Sequence, residues 1–256
     1  MATGQTVKKW TRVYVNGYDM SGYTRSIGEL QWEFDEAELT TLSDGVKGYM
    51  ANQGNVSVGA LNGVMDDTAV SGLHTVAAGL PGTPATVMVA QGIRAEPANG
   101  DPMFTGYCEI KNYKAEEDGG AAVVTMEFDQ FSTTGLINYA RPWGFIAHAK
   151  GAETAANTAV GIDDNGAASA LGGYMVYQVF AGDGTATLKI QDAATNTNPS
   201  FADLSGCTTG SIDCSSVKHG LVAIGVTATV RQYIRWQIVL GTATTVTFAL
   251  GFVRGQ

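Results

Sequence analysis

Carboxylates are the side chains of this sequence best placed to do chemistry. Glu33 and Glu127 both lie on alternating segments, and two such groups on neighbouring strands could act as the acid and base of a glycoside hydrolase. That chemistry needs carboxyls with separated pKa values beside aromatic platforms. In Glu29-Leu30-Gln31-Trp32-Glu33-Phe34-Asp35 the aromatics fall on the face opposite the acids, and Phe128 lies opposite Glu127 and Asp129. A wet acidic surface accounts for these carboxylates without a reaction, so no residue is given a catalytic role.

Other reactive types are sparse. His74, His148 and His219 form no HExxH motif and no Cys/His cluster of zinc spacing. Cys207, Cys214 and His219 lack a fourth ligand. Asp163-Asp164-Asn165-Gly166 begins like a calcium loop but lacks the later ligands and the closing Glu. Asp192 and Asp203 offer nothing more specific. No metal site and no cofactor is therefore expected, and no nucleotide-binding or nucleophile-elbow motif is present. Arg231 and Arg235 share a strand face with Tyr233, a pattern expected to pair with an Asp on the next strand.

The elements that must hold these groups read as strands. Strict alternation over Glu29–Asp35 marks a strand with one buried and one wet face. Its wet face carries acids and no Lys or Arg, which suits a surface that repels anions or meets cations. Thr11–Asn16 is a short strand ended by Asn16-Gly17, a strong turn signal. Further strands are predicted at Tyr23–Asp35 (broken at Gly28), Asn55–Leu61, Thr86–Gln91, Gly106–Lys114 and Ala121–Phe131. Asp66–Ala78 is the helix candidate, capped by Asp66 or Asp67, with Val70, Leu73, Val76 and Ala77 at helical spacing. Leu39–Gln53 has no period and is expected as an extended loop.

Strands resume at Tyr174–Ala181, Thr185–Gln191, Leu221–Leu240 and Thr244–Arg254, with Gly182-Asp183-Gly184 as a hairpin turn. Their spacing predicts a β-sandwich. The expected division is 1–142 as a first domain, 143–172 as a linker or irregular lead-in, and 173–256 as a C-terminal Ig-like or jelly-roll-like sandwich.

Composition supports an all-β chain. Of 256 residues 33 are Gly, and charged residues are 15 %, below the usual quarter. The net charge of −9 disfavours a protein that grips nucleic acid. The acids are concentrated early: residues 1–142 hold 17 Asp/Glu against 9 Lys/Arg. No apolar run approaches the roughly 20 residues of a membrane span, so no membrane insertion is expected. Met1-Ala2-Thr3-Gly4-Gln5 is polar and no signal peptide follows it, so a reducing cytoplasm is expected. Cys108 reads as a buried small hydrophobe; a Cys207–Cys214 disulfide around a turn-like TTGSID is sterically open.

Two long stretches resemble a known family. Val15-Asn16-Gly17-Tyr18-Asp19-Met20-Ser21-Gly22-Tyr23, the acidic strand after it, and LTTLSDGVKGYMANQGNVSVGALNGVMDD are similar to the major tail tube proteins of long, flexible-tailed bacteriophages. So are WGFIAHA, GGYMVYQVFAGDGTATLKIQDAATNTNPSFADL, TATVRQYIRW and TVTFALGFVRG in the second block. Met20 stands where Leu is commoner, a change that conserves volume. The resemblance covers nearly the whole chain and rests on the order and spacing of its motifs.

The resemblance implies a structural virion protein of the tail, assembled in the host cytoplasm, and not an enzyme. It implies a tail-tube-type β-sandwich or barrel with one helix, in hexameric rings that stack into a tube. It implies tail terminator, tape measure and distal tail proteins as partners, the transient passage of DNA through the lumen, and a second domain on the exterior. A host-surface glycan is a candidate contact of that domain. On this basis Glu29, Gln31, Glu33, Asp35, Asn55, Ser57, Thr125, Glu127 and Asp129 are expected to face the lumen. Leu30, Trp32, Phe34, Val56, Val58, Val124, Met126 and Phe128 should then form the first core. Leu42, Ser43, Asp44, Val46, Tyr49 and Met50 are expected to reach the adjacent ring, and deleting Ser43–Tyr49 should leave soluble subunits that do not polymerise, as microscopy would show. The alternative from another class is a carbohydrate-binding, lectin-like sandwich, which predicts exposed aromatics.

Overall fold

The computed structural model describes residues 8–38, 49–69, 71–130, 141–163 and 168–255. The chain is mainly β, with antiparallel sheets of sandwich type and, among the described residues, one α-helix. The first block contains β1 (Thr11–Val15), β2 (Tyr18–Asp19), β3 (Thr24–Ile27), β4 (Leu30–Glu38), β5 (Tyr49–Val64), α1 (Leu73–Ala78), β6 (Ala85–Gln91), β7 (Pro102–Asp118) and β8 (Ala121–Gln130). The second contains β9 (Trp143–Glu153), β10 (Ile162–Asp163), β11 (Gly173–Gly182), β12 (Thr185–Ala193), β13 (Ala202–Asp213), β14 (Lys218–Ile224), β15 (Tyr233–Leu240) and β16 (Val246–Arg254).

Turn chemistry sets several of these ends. Asn16 (φ 50°) and Gly17 (φ 84°) both take the left-handed conformation of a two-residue hairpin, and Val15 pairs with Tyr18 across it. Gly119 and Gly120 do the same between β7 and β8, where Asp118 faces Ala121. The helix is shorter than the sequence predicts. Asp66 does not cap it: its Oδ1 accepts the Thr68 N–H at 2.8 Å and its carbonyl accepts the His74 N–H at 2.9 Å. That side-chain turn runs from Asp66 to Thr68, and the helix starts only after Gly72. Leu73, Val76 and Ala77 are buried as their spacing predicts; Val70 lies outside the described residues.

One strand joins the two blocks. The first half of β7 pairs with β6 (Cys108 opposite Ala85), and its start also pairs with β9, Met103 opposite Gly144. Its second half pairs with β8 from Cys108–Gln130 to Asp118–Ala121. Hydrogen bonding therefore runs β14-β11-β16-β9-β7-β6-β1-β2 without a break, while β8, β5, β3 and β4 branch from the far half of β7. Trp143–Glu153, inside the segment expected as a linker, is strand β9 of this path. Phe145, Ile146 and Ala147 are consecutive buried residues, the pattern of a strand covered on both faces, which alternation does not reveal.

Three apolar cores result. The first lies between β1, β6 and early β7 on one side and β5, β8 and α1 on the other, with Val13, Val87, Phe104, Val58, Met126 and Phe128 buried. The second lies between β9, β16 and β11 and the four-stranded sheet β10-β15-β12-β13, with Phe248, Phe252, Leu188, Ile190 and Trp236. The third joins the blocks: Tyr14, Met88 and Met103 meet Ile146, Tyr174, Val176 and Val253.

A polar seam closes the joint. The Gly17 N–H donates to Gln178 Oε1 at 2.5 Å, and Gln178 Nε2 donates to the Thr86 carbonyl at 2.9 Å. Asn16 exchanges two hydrogen bonds with Thr86, and His219 Nδ1 lies 3.1 Å from Thr86 Oγ1. Gln178 is fully buried.

Three further expectations change. Gly182-Asp183-Gly184 is a corner between two sheets, since β11 and β12 do not pair. Asp183 Oδ1 accepts the Thr244 and Thr245 N–H groups at 2.8 and 2.9 Å, fixing the corner from the segment that leads into β16. TTGSID lies in strand β13, and Cys108, Cys207 and Cys214 are free and buried. Burial pushes the Cys108 and Cys207 thiols up to about 12. Tyr49–Gln53, expected in a loop, is strand: Tyr49 faces Glu38, Met50 faces Ala37 and Ala51 faces Glu36 across β4. Leu42, Ser43, Asp44 and Val46 lie outside the described residues.

Candidate functional site

The expected polar face is assembled by cross-strand register. In an antiparallel pair, opposed residues share a face. Gln31 lies opposite Ser57, Ser57 opposite Asp129, and Asp129 opposite Glu109, one row across β4, β5, β8 and β7. The next row toward β3 holds Ser26, Asn62, Thr125 and Lys114. Between them Glu127 faces Asn112; Glu33 sits opposite Asn55 on the far side of the first row. The backbones of Asp35 and Asn55 belong to β4 and β5, and their side chains lie outside the described residues.

Short hydrogen bonds fix these side chains. Gln31 Nε2 donates to Glu29 Oε2 at 2.7 Å, and Ser57 Oγ donates to Gln31 Oε1 at 3.2 Å. Thr125 Oγ1 donates to Asn62 Oδ1 at 2.6 Å, and Asn62 Nδ2 donates to Ser26 Oγ at 3.1 Å. Thr125 is buried by these neighbours, Glu29 and Glu33 are exposed, and Glu127 and Asp129 are half-buried.

Strand β7 adds what the sequence reading missed. Glu109 and Glu116 extend the acidic face, and Lys111 and Lys114 interrupt it. Lys111 Nζ lies 2.9 Å from Asp129, which holds the ammonium above its ordinary pKa mainly by hydrogen bonding. Lys114 pairs with Glu116. Both cations are paired at the β7 side, and among the described residues no ion pair forms at Glu29 or Glu33. Alternation along Lys111–Glu116 carried this signal, but a bulge between Ile110 and Asn112 shifts its phase.

The back of the face is apolar, as expected, for most of its length. Val56, Val58, Val124, Met126 and Phe128 are buried and Leu30 packs against them. Trp32 and Phe34 correct the expectation. They occupy the core-side face, Trp32 opposite Val56 and Phe34 opposite Gly54, yet are 37 % and 46 % exposed. The cause is strand length. Among the described residues β5 pairs with β8 only from Ser57 onward, so the earlier part of the β4–β5 ribbon has no third strand there. The two rings lie 4.9 Å apart, and the Arg141 guanidinium sits 5.8 Å from the Trp32 ring.

The remaining candidates are engaged elsewhere. Arg231 meets Asp192 on β12, whose Oδ2 accepts the Arg231 N–H at 2.7 Å. Arg235 donates to Gln191, Asn198 and the Ala159 carbonyl, and its guanidinium lies 4.4 Å from the Phe201 ring. Asp203 accepts from Lys189 at 2.6 Å and Gln191 at 2.7 Å, which hold its carboxyl below the usual range. Asp163 accepts from Gln232; residues 164–167 lie outside the described residues. Among the described residues no group of His, Cys, Asp and Glu could hold a metal ion, and no helix is long and apolar enough to cross a membrane.

No family model matches the chain, and no curated protein does. Solved structures similar to it include a chain of the anti-feeding prophage baseplate seen by cryo-electron microscopy. That chain is 15 % identical at a TM-score of 0.35, over 47 % of this chain and 87 % of its own. Another is the Dit (gp 19.1) protein of SPP1, described as a hub adsorption apparatus in phages infecting Gram-positive hosts. It is 12 % identical at a TM-score of 0.32, over 93 % of this chain and 98 % of its own. Both likenesses are too distant to carry an assignment.

Proposed function

We propose that this chain is a structural virion protein that forms stacked hexameric rings, the tail tube of a long, flexible-tailed phage, with β4, β5, β8 and β7 turning their polar face to the lumen. One observation carries the reading. A four-strand face collects Glu29, Glu33, Glu109, Glu116, Glu127 and Asp129 against Lys111 and Lys114, and the first core lies directly behind it. DNA carries about one negative charge per 1.7 Å of axis, and a basic lining would hold it by counterion release. A net acidic lining gives no such attraction. At physiological salt the screening length is about 8 Å, so the repulsion acts on a duplex close to the wall. The order of motifs that resembles tail tube proteins supports the same reading, and the lumen-facing set is Glu29, Gln31, Glu33, Asp35, Asn55, Ser57, Thr125, Glu127 and Asp129.

The ring-to-ring contact falls to the segment from Leu42 to Met50. Its described end, Tyr49 and Met50, lies on the outermost part of the ribbon.

Negative-stain microscopy of the purified protein tests assembly: rings or tubes are expected, and monomers at every concentration would end the proposal. The lining is tested by reversing three charges, Glu29→Lys, Glu33→Lys and Glu127→Lys, and measuring duplex binding to assembled tubes against salt. Wild-type tubes should bind no DNA. The variant should bind with a log–log salt slope steeper by about 0.9 per new phosphate contact. Equal binding by both would place this face away from the DNA.

A further inference from the structure

His148 lies in the core of the second block, 4 % exposed. Its ring stacks on Phe248 at 4.2 Å and meets Trp236 edge-on at 4.4 Å. Both ring nitrogens face acceptors. Nδ1 is 3.2 Å from the Phe248 carbonyl, and Nε2 is 3.0 Å from Glu153 Oε1. A neutral imidazole has one N–H and can satisfy one of them. In the tautomer that donates from Nδ1 to Phe248, an ionised Glu153 faces the lone pair of Nε2. Both acceptors are satisfied together only when the pair holds one more proton than neutral His and ionised Glu.

We propose that His148 and Glu153 form a proton-operated latch at the root of the crossover that follows β9. With the proton bound, Nδ1–H donates to Phe248 and Nε2–H donates to Glu153, and the pair is neutral overall. Loss of the Nε2 proton to solvent leaves a net charge of −1, and the carboxylate, whose side chain is one-third exposed, turns out to water. Residues 154–161 start at this point. They cross to the other sheet, where Asn157 Nδ2 donates to the Trp236 carbonyl at 3.2 Å and the Ala159 carbonyl accepts from Arg235 at 2.9 Å. Releasing Glu153 loosens the near end of that segment while its far end stays tied.

The surroundings isolate the pair. β16 presents Phe248 and its carbonyl to the ring, and β15 presents Trp236. Arg235 on β15 is held on the outer face by Gln191. Lys150 on β9 reaches away to Asp19 at 2.6 Å. The thiols of this core, Cys207 and Cys214, are kept neutral by burial. Burial also pulls His148 below its ordinary 6.5, against the opposing pull of Glu153 and Phe248. The latch therefore closes on acidification below about 6.5. Because the unfolded chain binds this proton more readily, the stability His148 contributes is full above that value and falls as pH drops through the folded-state pKa.

The test is an NMR titration of the whole chain between pH 4.5 and 8, following the His148 ring nitrogens and the Glu153 carboxyl carbon. Both signals should move with one midpoint, below 6.5. Amide protection over residues 154–161, corrected for intrinsic exchange, should fall as pH rises through it. In Glu153→Gln the amide can donate to a neutral imidazole, so protection should become independent of pH, and the His148 midpoint should drop by about one unit with the lost charge. Separate midpoints in the wild type, or a His148 midpoint unmoved in Glu153→Gln, would overturn the latch. Global unfolding is distinguished by amide protection over β6 and β7, far from the pair, which should stay native throughout.

Discussion

Replacing Trp32 and Phe34 together by Ser should leave the chain folded and abolish the proposed assembly into rings and tubes. Both side chains sit on the part of β4 beyond the described pairing of β5 with β8 and are more than a third exposed, so removing them takes little from the core. Exposed substitutions of this kind stay within about 0.5 kcal/mol of wild-type stability. In the proposed ring the same pair is an aromatic anchor covered by a neighbouring copy. Such anchors are worth about 2 kcal/mol or more each, roughly thirtyfold per contact, and a closed ring repeats the loss at every interface. Thermal melting combined with light scattering reads both quantities. Wild-type tubes from the double variant would show that the ribbon is not the subunit contact, and a large fall in melting temperature would show that the pair is core after all.

The second large effect is on the joint between the blocks. Gln178→Leu should lower unfolding free energy by about 2–3 kcal/mol, because the Gly17 N–H loses its acceptor where water does not reach, and leaving a buried group unsatisfied costs about 1–3 kcal/mol. The Thr86 carbonyl keeps the Asn16 N–H and contributes less. Wild-type protein should unfold in one urea transition, since the third core and the seam tie both blocks together. The variant should separate the unfolding of Trp236, in the second core, from that of first-block probes such as Tyr14. A shift below 0.5 kcal/mol with a single unchanged transition would mean that the apolar contacts of Tyr14, Met88 and Val176 hold the blocks unaided.

How much of this was legible in the sequence follows from what alternation encodes. A period of two fixes which residues share a face, so Glu29, Glu33, Val56, Val58, Glu127 and Phe128 fall on the sides expected. It does not say how far the facing layer extends, so the side of Trp32 was legible and its exposure was not. Strands buried on both faces have no alternation, and Phe145-Ile146-Ala147 hid inside an apparent linker for that reason. A glycine-rich turn fixes a change of direction but not the partner. Asn16-Gly17 closes a hairpin, whereas Gly182-Asp183-Gly184 passes the chain to another sheet, a choice made by Asp183 binding Thr244 and Thr245 some sixty residues away. The capping signal of Asp66 was real hydrogen-bonding capacity used on a turn. His148 and Glu153 are five residues apart, and only the bulged pairing of β9 with β16 brings them together.

The length of β7 has a mechanical consequence. Its 17 residues are bonded to β6 and β9 near one end and to β8 near the other. A pull on the second block is thus delivered through β9 and β16 into the same backbone that carries Glu109 and Lys111 beside the polar face. The load runs along paired strands, where many hydrogen bonds resist in shear at once. A chain built this way behaves as a stiff beam between its second block and its polar face.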